Sequence, residues 1–140
     1  MIAKGKQLTD YIPQRAPLVM IDSLEEATEN RMISNLLIKP DNYFVENDQF
    51  REPGIIENIA QTAAAGLGFI QKSQDMPIAL GFIAAIRDLK INVLPHVGQT
   101  LRTTVEVVNK VFDITIIKGC VHSGNELIAE CEMRIFIQKQ

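Results

Sequence analysis

The fold of this chain is decided by one stretch of sequence, Pro53-Gly54-Ile55-Ile56-Glu57-Asn58-Ile59-Ala60-Gln61-Thr62-Ala63-Ala64-Ala65-Gly66-Leu67-Gly68. A proline at the start of a helix has its φ angle already set and gives up an N–H that would be unpaired anyway, so we expect a helix over residues 53–72. Apolar residues recur at helical spacing and predict one buried stripe. They are Ile56, Ile59, Ala60, Ala63, Leu67 and Ile70.

Two polar residues, Glu57 and Gln61, interrupt this apolar helix and share a face because they are four positions apart. The small residues of 63–68 leave the helix with little side-chain bulk, which is typical of a helix approached closely on several sides. A carboxylate near the amino end of an enclosed helix gains from the helix dipole but loses hydration, a combination typical of functional groups. The alternative interpretation is a glutamate that reaches solvent or only stabilises the first turn.

Composition narrows the class of protein. The chain has 140 residues, 46% hydrophobic and 22% charged, with a net charge of −3, which predicts a single domain over residues 1–140 and argues against a nucleic-acid partner. No apolar run is long enough for a membrane span, and the first residues lack the apolar stretch of a signal peptide, so we expect a cytoplasmic protein. Two histidines and two cysteines at scattered spacing predict neither a metal site nor a cofactor.

Strand signals lie on both sides of the helix. Two strands are predicted before it, at 18–22 and 32–38, followed by a polar loop over 40–52. Four are predicted after it. They lie at 78–86 with an irregular continuation to 93, and at 100–111, 114–121 and 127–136.

This order of elements predicts an α+β fold with a mainly antiparallel sheet of about six strands. A single helix that is apolar nearly all round must be wrapped by that sheet, which is the hot-dog arrangement. One small sheet does not bury such a helix completely. We therefore expect a homodimer or higher oligomer.

Two motifs resemble one enzyme family. The leader Tyr11-Ile12-Pro13-Gln14-Arg15-Ala16-Pro17-Leu18-Val19-Met20-Ile21-Asp22 resembles the opening of bacterial 3-hydroxyacyl-(acyl carrier protein) dehydratases, and Glu57-Asn58-Ile59-Ala60-Gln61 resembles their active-site helix. The resemblance implies that Glu57 protonates the departing hydroxyl of a 3-hydroxyacyl thioester. It further implies substrate contacts for Gln61 and Asn47 and a thioester-binding N–H on Gly54, although Gly54 stands two residues closer to Glu57 than in the family.

The main departure from the family is in the loop before the helix. That loop carries the histidine that removes the α-proton in the family, but residues 41–50 contain none, and Gln14 stands where another histidine is common. This pattern resembles a divergent branch of dehydratase-like hot-dog proteins, including those of bacterial aryl polyene pathways. Asp48, with Tyr43 behind it, is the best candidate in the loop to replace the base, unless it only adds solubility or caps a turn. The alternative is that Glu57 performs both steps in turn, at a reduced rate.

Three functions stay open on this sequence. A dehydratase-like enzyme ranks first because the leader and the helix both match. A hot-dog thioesterase, in which a helix carboxylate directs water at the thioester, ranks second. The third possibility is a non-catalytic acyl-binding subunit that pairs with an active homologous dehydratase. Such a subunit would lack the base, as this chain does in its loop.

The remaining predictions concern the acyl chain and its carrier. Apolar or small side chains along the helix and the next strand are expected to line a tunnel, unless they only allow close packing; they are Ala63, Leu67, Phe82, Ala84 and Ala85. Acyl carrier proteins are acidic, so docking one on this acidic chain requires a local basic patch. Arg87, Lys90 and Arg102 are the candidates for that patch, the alternative being ordinary surface charge.

Overall fold

A long helix, α1 (Glu52–Ser73), packs against one face of a seven-stranded antiparallel sheet in the computed structural model, which describes residues 1–138. The sheet order is β1-β2-β3-β7-β8-β9-β6. Its strands are β1 (Ala3–Lys4), β2 (Ser23–Ala27), β3 (Arg31–Leu37), β6 (Leu80–Ile91), β7 (Thr100–Val111), β8 (Ile114–Ser123) and β9 (Glu126–Gln138). The predicted α+β hot-dog class is confirmed. The sheet has seven strands rather than six because the two-residue β1 pairs with β2.

The helix begins where the sequence predicted. Arg51 is the N-cap in extended conformation, and Pro53 occupies one of the first helical positions, where its missing N–H costs nothing. Two glycines allow neighbours to approach the helix closely. A Cβ on Gly66 would collide with Met32 of β3, and one on Gly68 would lie 2.5 Å from the Tyr11 carbonyl oxygen.

The main core lies between α1 and the inner face of the sheet. Ile55 and Ile59 of the helix are fully buried there, and Gly119 of β8 leaves the room that Ile59 fills. Apolar residues that alternate along the strands supply the opposite side. They include Leu101, Val105, Ile117, Val121, Met133 and Ile135.

The predicted strand at 18–22 is wrong. This segment forms no strand, with bends at Leu18 and Asp22, and the strand β2 starts only at Ser23. Three of its backbone groups are bonded by side chains of the helix: Gln61 binds the Leu18 carbonyl and the Met20 N–H, and Asn58 binds the Met20 carbonyl. Alternation of apolar residues does not distinguish such side-chain bonding from strand pairing.

The loop before the helix contains a small hairpin that the sequence analysis did not predict. Strands β4 (Val45–Glu46) and β5 (Gln49–Phe50) pair with each other, and Asn47 and Asp48 form the two-residue turn between them. Both turn residues have positive φ, 52° and 65°, which is the conformation that two-residue hairpins favour.

Strand β6 ends the sheet on one side. It pairs with β9 along one edge, with register shifts at 83/85 and 87/90, of which only the second lies in the predicted irregular continuation. Its apolar side chains are unusually exposed, with Phe82 at 51% and Leu89 at 39%. An unpaired edge with exposed apolar residues is a surface suited to pairing with another chain.

Candidate active site

A cavity of about 490 Å³ lies along one flank of α1. It extends from Glu57 near the start of the helix to Gln74 just past its end, which at 1.5 Å per residue is a length of roughly 25 Å. On the helix side it is lined by Glu57, Ala60, Ala63, Ala64, Leu67 and Ile70. On the sheet side it is lined by Phe82, Ile83, Val107, Ile117, Ile135 and Ile137. The cavity is therefore a mainly apolar groove, with the Glu57 carboxylate near the start of α1.

Glu57 is held in this cavity by Gln61, one helical turn later. Gln61 Nε2 donates to Glu57 Oε2 at 2.9 Å and to the Leu18 carbonyl at 2.9 Å, while Gln61 Oε1 accepts from the Met20 N–H at 2.6 Å. Gln61 is itself fully buried and does not line the cavity. Its amide groups are thus engaged by the protein, and it acts on Glu57 rather than on a molecule in the cavity.

A buried polar network holds this part of the helix. Asn58 Nδ2 donates to the Met20 carbonyl at 2.8 Å, and Thr103 Oγ1 of β7 donates to Asn58 Oδ1 at 2.5 Å. Thr62 Oγ1 donates to the Asn58 carbonyl and shares a 2.6 Å hydrogen bond with Ser34 Oγ of β3. All four side chains are fully buried, so the network fixes α1 relative to the leader and two strands.

The other predicted substrate-binding residues near the helix start lie elsewhere. The Gly54 N–H donates to the Arg51 carbonyl at 3.0 Å, and a Cβ at this position would lie 2.6 Å from the Phe50 ring. Gly54 is therefore placed to pack against the loop, and its N–H is already bonded within the chain. Asn47 is exposed in the β4–β5 turn.

Asp48 does not lie beside Glu57 in the cavity of this chain. Its side chain is 71% exposed, and Oδ2 lies 3.9 Å from His96 Nδ1. No residue from Pro40 to Arg51 lines the cavity, all of them being within the described chain. Among the described residues that line it, the ionisable ones are Glu29, Glu57 and Lys110.

The predicted tunnel residues divide into two groups. Ala63, Leu67 and Phe82 line the cavity, whereas Ala84 and Ala85 do not. The reason is the register shift between Ile83 and Ala85, which changes the faces to which the following residues of β6 point.

The predicted carrier-docking residues are exposed and lie outside the cavity. Arg87 stands opposite Glu132 and Lys90 opposite Glu130 on the neighbouring strand β9. Arg102 of β7 stands between Asn35 and His122. Each of the two β6 cations therefore has a carboxylate beside it, while Arg102 has uncharged partners across the strands.

Sequence reasoning missed two residues of the site. Asn58 was passed over as a neighbour of Glu57, although a polar amide inside an apolar helix is a signal of a buried hydrogen-bond network. Gln14 was noted only for replacing a histidine, yet it lines the cavity together with Glu57. The partners of Asn58, Met20 and Thr103, lie 38 and 45 positions away, and local patterns do not reveal contacts at such separations.

Within residues 1–138, no helix combines the length and apolar character needed to cross a membrane. In the same part of the chain, no three histidine, cysteine, aspartate or glutamate side chains cluster as they would to hold a metal ion.

The chain is similar to known dehydratases. A model of ApeP-like proteins, described as ApeP dehydratase, matches residues 6–140. The chain is 22% identical to the 3-hydroxyacyl-[acyl-carrier-protein] dehydratase FabZ of Pediococcus pentosaceus, over 97% of this chain and 93% of that protein.

Solved structures share the fold. The dehydratase heterocomplex ApeI:P from Xenorhabdus doucetiae contains a chain that superposes with a TM-score of 0.88 at 16% identity, covering 95% of this chain and 91% of that one. A hypothetical thioesterase with coenzyme A from Streptococcus pneumoniae superposes with a TM-score of 0.68 at 7% identity, covering 84% and 86%. At these identities the similarity establishes the hot-dog fold alone.

Proposed function

This chain belongs to the ApeP-like dehydratase family, and from that membership we propose that it supplies the acid, Glu57, to a hydro-lyase acting on 3-hydroxyacyl thioesters. The observation that carries the proposal is the position of Glu57, which Gln61 holds at the end of a long apolar cavity. A cavity of this shape suits an acyl chain, and the carboxyl group stands where the chain meets polar groups.

Dehydration requires two proton movements. A base removes the proton from C2 of the 3-hydroxyacyl thioester, the electron pair forms the C2–C3 double bond, and the C3–O bond breaks. Neutral Glu57 gives its proton to the departing hydroxyl, which leaves as water. General acid catalysis of this kind contributes roughly 10²–10⁴ to the rate.

Within residues 1–138, no group that suits the base lies in the cavity beside Glu57. The cavity has no histidine among its described lining residues, and Asp48 lies exposed on the β4–β5 turn. We therefore propose that a second subunit supplies it. The open edge of β6, with its exposed Phe82, Ile83 and Ile86, is the surface on which we expect that subunit to pair.

A homologous dehydratase that carries the loop histidine is the partner we propose. The similar chain from Xenorhabdus doucetiae occurs in a dehydratase heterocomplex, which supports a mixed assembly for this chain too. A homodimer, the original expectation, uses the same edge but leaves both sites without a histidine in the loop. Asp48 of the second copy is then the remaining candidate for the base.

The FabZ relative acts on substrates carried by acyl carrier protein, which supports such a carrier here. Docking is proposed on Arg87, Lys90 and Arg102, of which Arg102 has no carboxylate opposite it on either neighbouring strand. The proposal places the reaction in the cytoplasm, within fatty-acid or related polyene biosynthesis.

The test is to incubate the purified chain with a 3-hydroxyacyl thioester, alone and with its histidine-bearing homologue, and to separate enoyl thioester from free acid. We expect enoyl product only from the mixture, or far more of it than from either protein alone. Free acid from the chain alone would indicate a thioesterase instead. A mixture no faster than the homologue alone, with no loss when Glu57 is replaced by glutamine, would leave an acyl-binding role only.

A further inference from the structure

The seven-stranded sheet has two faces, and within residues 1–138 the helix α1 packs on the inner one. Near the turn between β7 and β8, the inner face carries Lys110, Thr115 and Ile137, which line the cavity. Side chains alternate along a strand, so the residues next to these point to the opposite, outer face. They are Val111, Ile114, Ile116 and Phe136.

Strand register brings these outer residues together. Val111 stands opposite Ile114, and Ile114 stands opposite Phe136, so one apolar row crosses β7, β8 and β9. Ile116 follows two residues along β8 on the same face. Val108 completes the group as the bulged residue of β7, across from residues 116 and 117.

Phe112 extends this row past the end of the sheet. It lies in the two-residue turn between β7 and β8, its residue surface is 100% exposed, and its φ angle is 55°. The left-handed conformation favours glycine or asparagine and is unfavourable for a bulky ring. Phe112 therefore gains neither local geometry nor packing within residues 1–138. An aromatic ring in such a place is typical of a contact with another molecule.

The apolar surface here is large for a single chain. We define the tip patch as Val108, Val111, Phe112, Ile114, Ile116 and Phe136. Beside the fully exposed Phe112, the exposed fractions are 61% for Val108, 44% for Val111 and 41% for Phe136. These four residues leave about 450 Å² of mainly apolar surface in contact with water, which is within the range of the largest patches on monomers. Two such patches packed together would remove about 900 Å², and with a polar rim they reach the ~1,000 Å² that a specific interface needs.

The charges beside the tip patch indicate what covers it. The next row across the sheet alternates in sign. It consists of Glu106, Lys118, Glu132 and Arg87. Such a row neither repels a second copy of the chain nor attracts a strongly acidic or basic partner. One sheet face packs well on another, and a two-fold contact needs only a single surface that matches itself.

We infer that the tip patch is an interface on which two copies of this chain pack with their outer faces together. This inference does not depend on the proposed function. The cavity lies on the inner face, so it stays open in both copies, and the free edge of β6 stays available to its own partner. Where both contacts form, the particle contains four chains.

Sedimentation velocity of the full-length protein tests this interface. Phe112→Asp places a charge in the contact, and we expect the wild-type particle to contain twice as many chains as the variant at the same concentration. The dissociation constant of the contact should rise at least about tenfold. Val108→Asp, at the other end of the tip patch, should have the same effect. Both side chains are exposed and lie outside the cavity lining, so folding and turnover should be unchanged.

Leu37→Asp is the matched control. Leu37 is 42% exposed and follows the buried Leu36 of β3, so it also points to the outer face, but it pairs with Thr100 at the opposite end of β7. This variant should keep the wild-type mass. Equal masses in wild type and both tip variants overturn the inference, as does an equal loss of mass in Leu37→Asp. Binding to phosphatidylcholine–phosphatidylglycerol vesicles that Phe112→Asp abolishes without a change of mass would assign the patch to lipid and overturn it too.

Discussion

The two flanks of α1 differ in what surrounds their side chains. On one flank Asn58 and Thr62 are fully buried and bonded to the leader and to strands β3 and β7. On the other flank Ala60, Ala64 and Leu67 face a cavity, beyond which β6 exposes its apolar residues. We call these the closed flank and the open flank.

The two flanks therefore have different roles. The closed flank fixes the helix in place, and the open flank forms the cavity. The closed flank carries the buried polar groups that fix the helix. Replacing one of them lowers stability, because it leaves the hydrogen-bond partner of that group buried and unpaired. The open flank carries small apolar residues whose missing bulk creates the cavity. Glu57 stands where the two flanks meet, and Gln61 links it to the closed one.

The largest effect is expected from removing the acid, Glu57, where the closed flank and the open flank meet. Glu57→Gln keeps the size and the polarity of the side chain but has no proton of comparable acidity to give. We expect turnover of a 3-hydroxyacyl thioester to fall by roughly 10²–10⁴, with the melting temperature little changed.

The matched control for this change is Glu52→Gln. Glu52 lies on the same helix but is about half exposed, pairs with Arg51 and does not line the cavity. Its replacement should leave the rate within about twofold. A Glu57 variant that keeps full activity would remove Glu57 from the proposed role.

The next largest effect is expected in the closed flank. Asn58→Leu keeps the number and branching of the side-chain heavy atoms but leaves the Met20 carbonyl and the Thr103 hydroxyl buried without their partner. We expect the free energy of unfolding to fall by about 3 kcal/mol, measured by urea denaturation.

Gln74→Leu makes the comparable change at the exposed end of the open flank, where the expected loss is below about 0.5 kcal/mol. Equal losses at the two positions would show that the closed flank is no more tightly bonded than the open one.

A smaller effect is expected from filling the cavity. Ala63→Leu adds bulk where the helix lines the cavity, so the longest accepted acyl chain should shorten by roughly three carbons, the number that leucine adds to alanine. Ala84→Leu is the control, because Ala84 lies outside the lining. A loss of about 1–3 kcal/mol in stability with no change in chain-length preference would indicate a packed core instead.

Local patterns predicted much of this fold. The helix, β3 and the three last strands lie within a few residues of their predicted bounds, because proline, alternation and turn residues act over short distances. The leader segment 18–22 was mistaken for a strand since its partners, Asn58 and Gln61, lie about 40 residues away. Two-residue strands such as β1 carry no periodic signal at all.

Local sequence patterns predicted the site only in part as well. The spacing of Glu57 and Gln61 indicated a shared face, and the two side chains are hydrogen-bonded. Asp48 was considered as a base from its place in the loop, but Asn47-Asp48 also matches the composition of a tight hairpin turn, and the structure has that turn there. The sequence marked Gln14 only as a replacement for a histidine, because its place in the cavity lining depends on how the leader packs in the folded chain.

The smallest effect is expected on β6, at the rim of the open flank. Reversing Arg87 and Lys90 to glutamate places like charges opposite Glu132 and Glu130, which should cost only about 0.2–1 kcal/mol per pair in stability. If an acidic carrier docks on this edge, the reaction of a carrier-bound substrate should slow several-fold, and that of a short thioester mimic should not.

Lys4→Glu is the control for this reversal, because Lys4 is an exposed residue of β1, the strand at the opposite edge of the sheet from β6. It carries the same charge on the same sheet but lies away from β6, so we expect equal rates with both substrates. Lys4→Glu slowing the carrier-bound reaction as much as the β6 pair would point to the net charge of the sheet rather than to a docking patch, since long-range steering responds to total charge and a docked carrier to local contacts. Repeating the measurement at higher salt distinguishes these two explanations further, because salt screens long-range electrostatic steering before it weakens close contacts with a docked carrier.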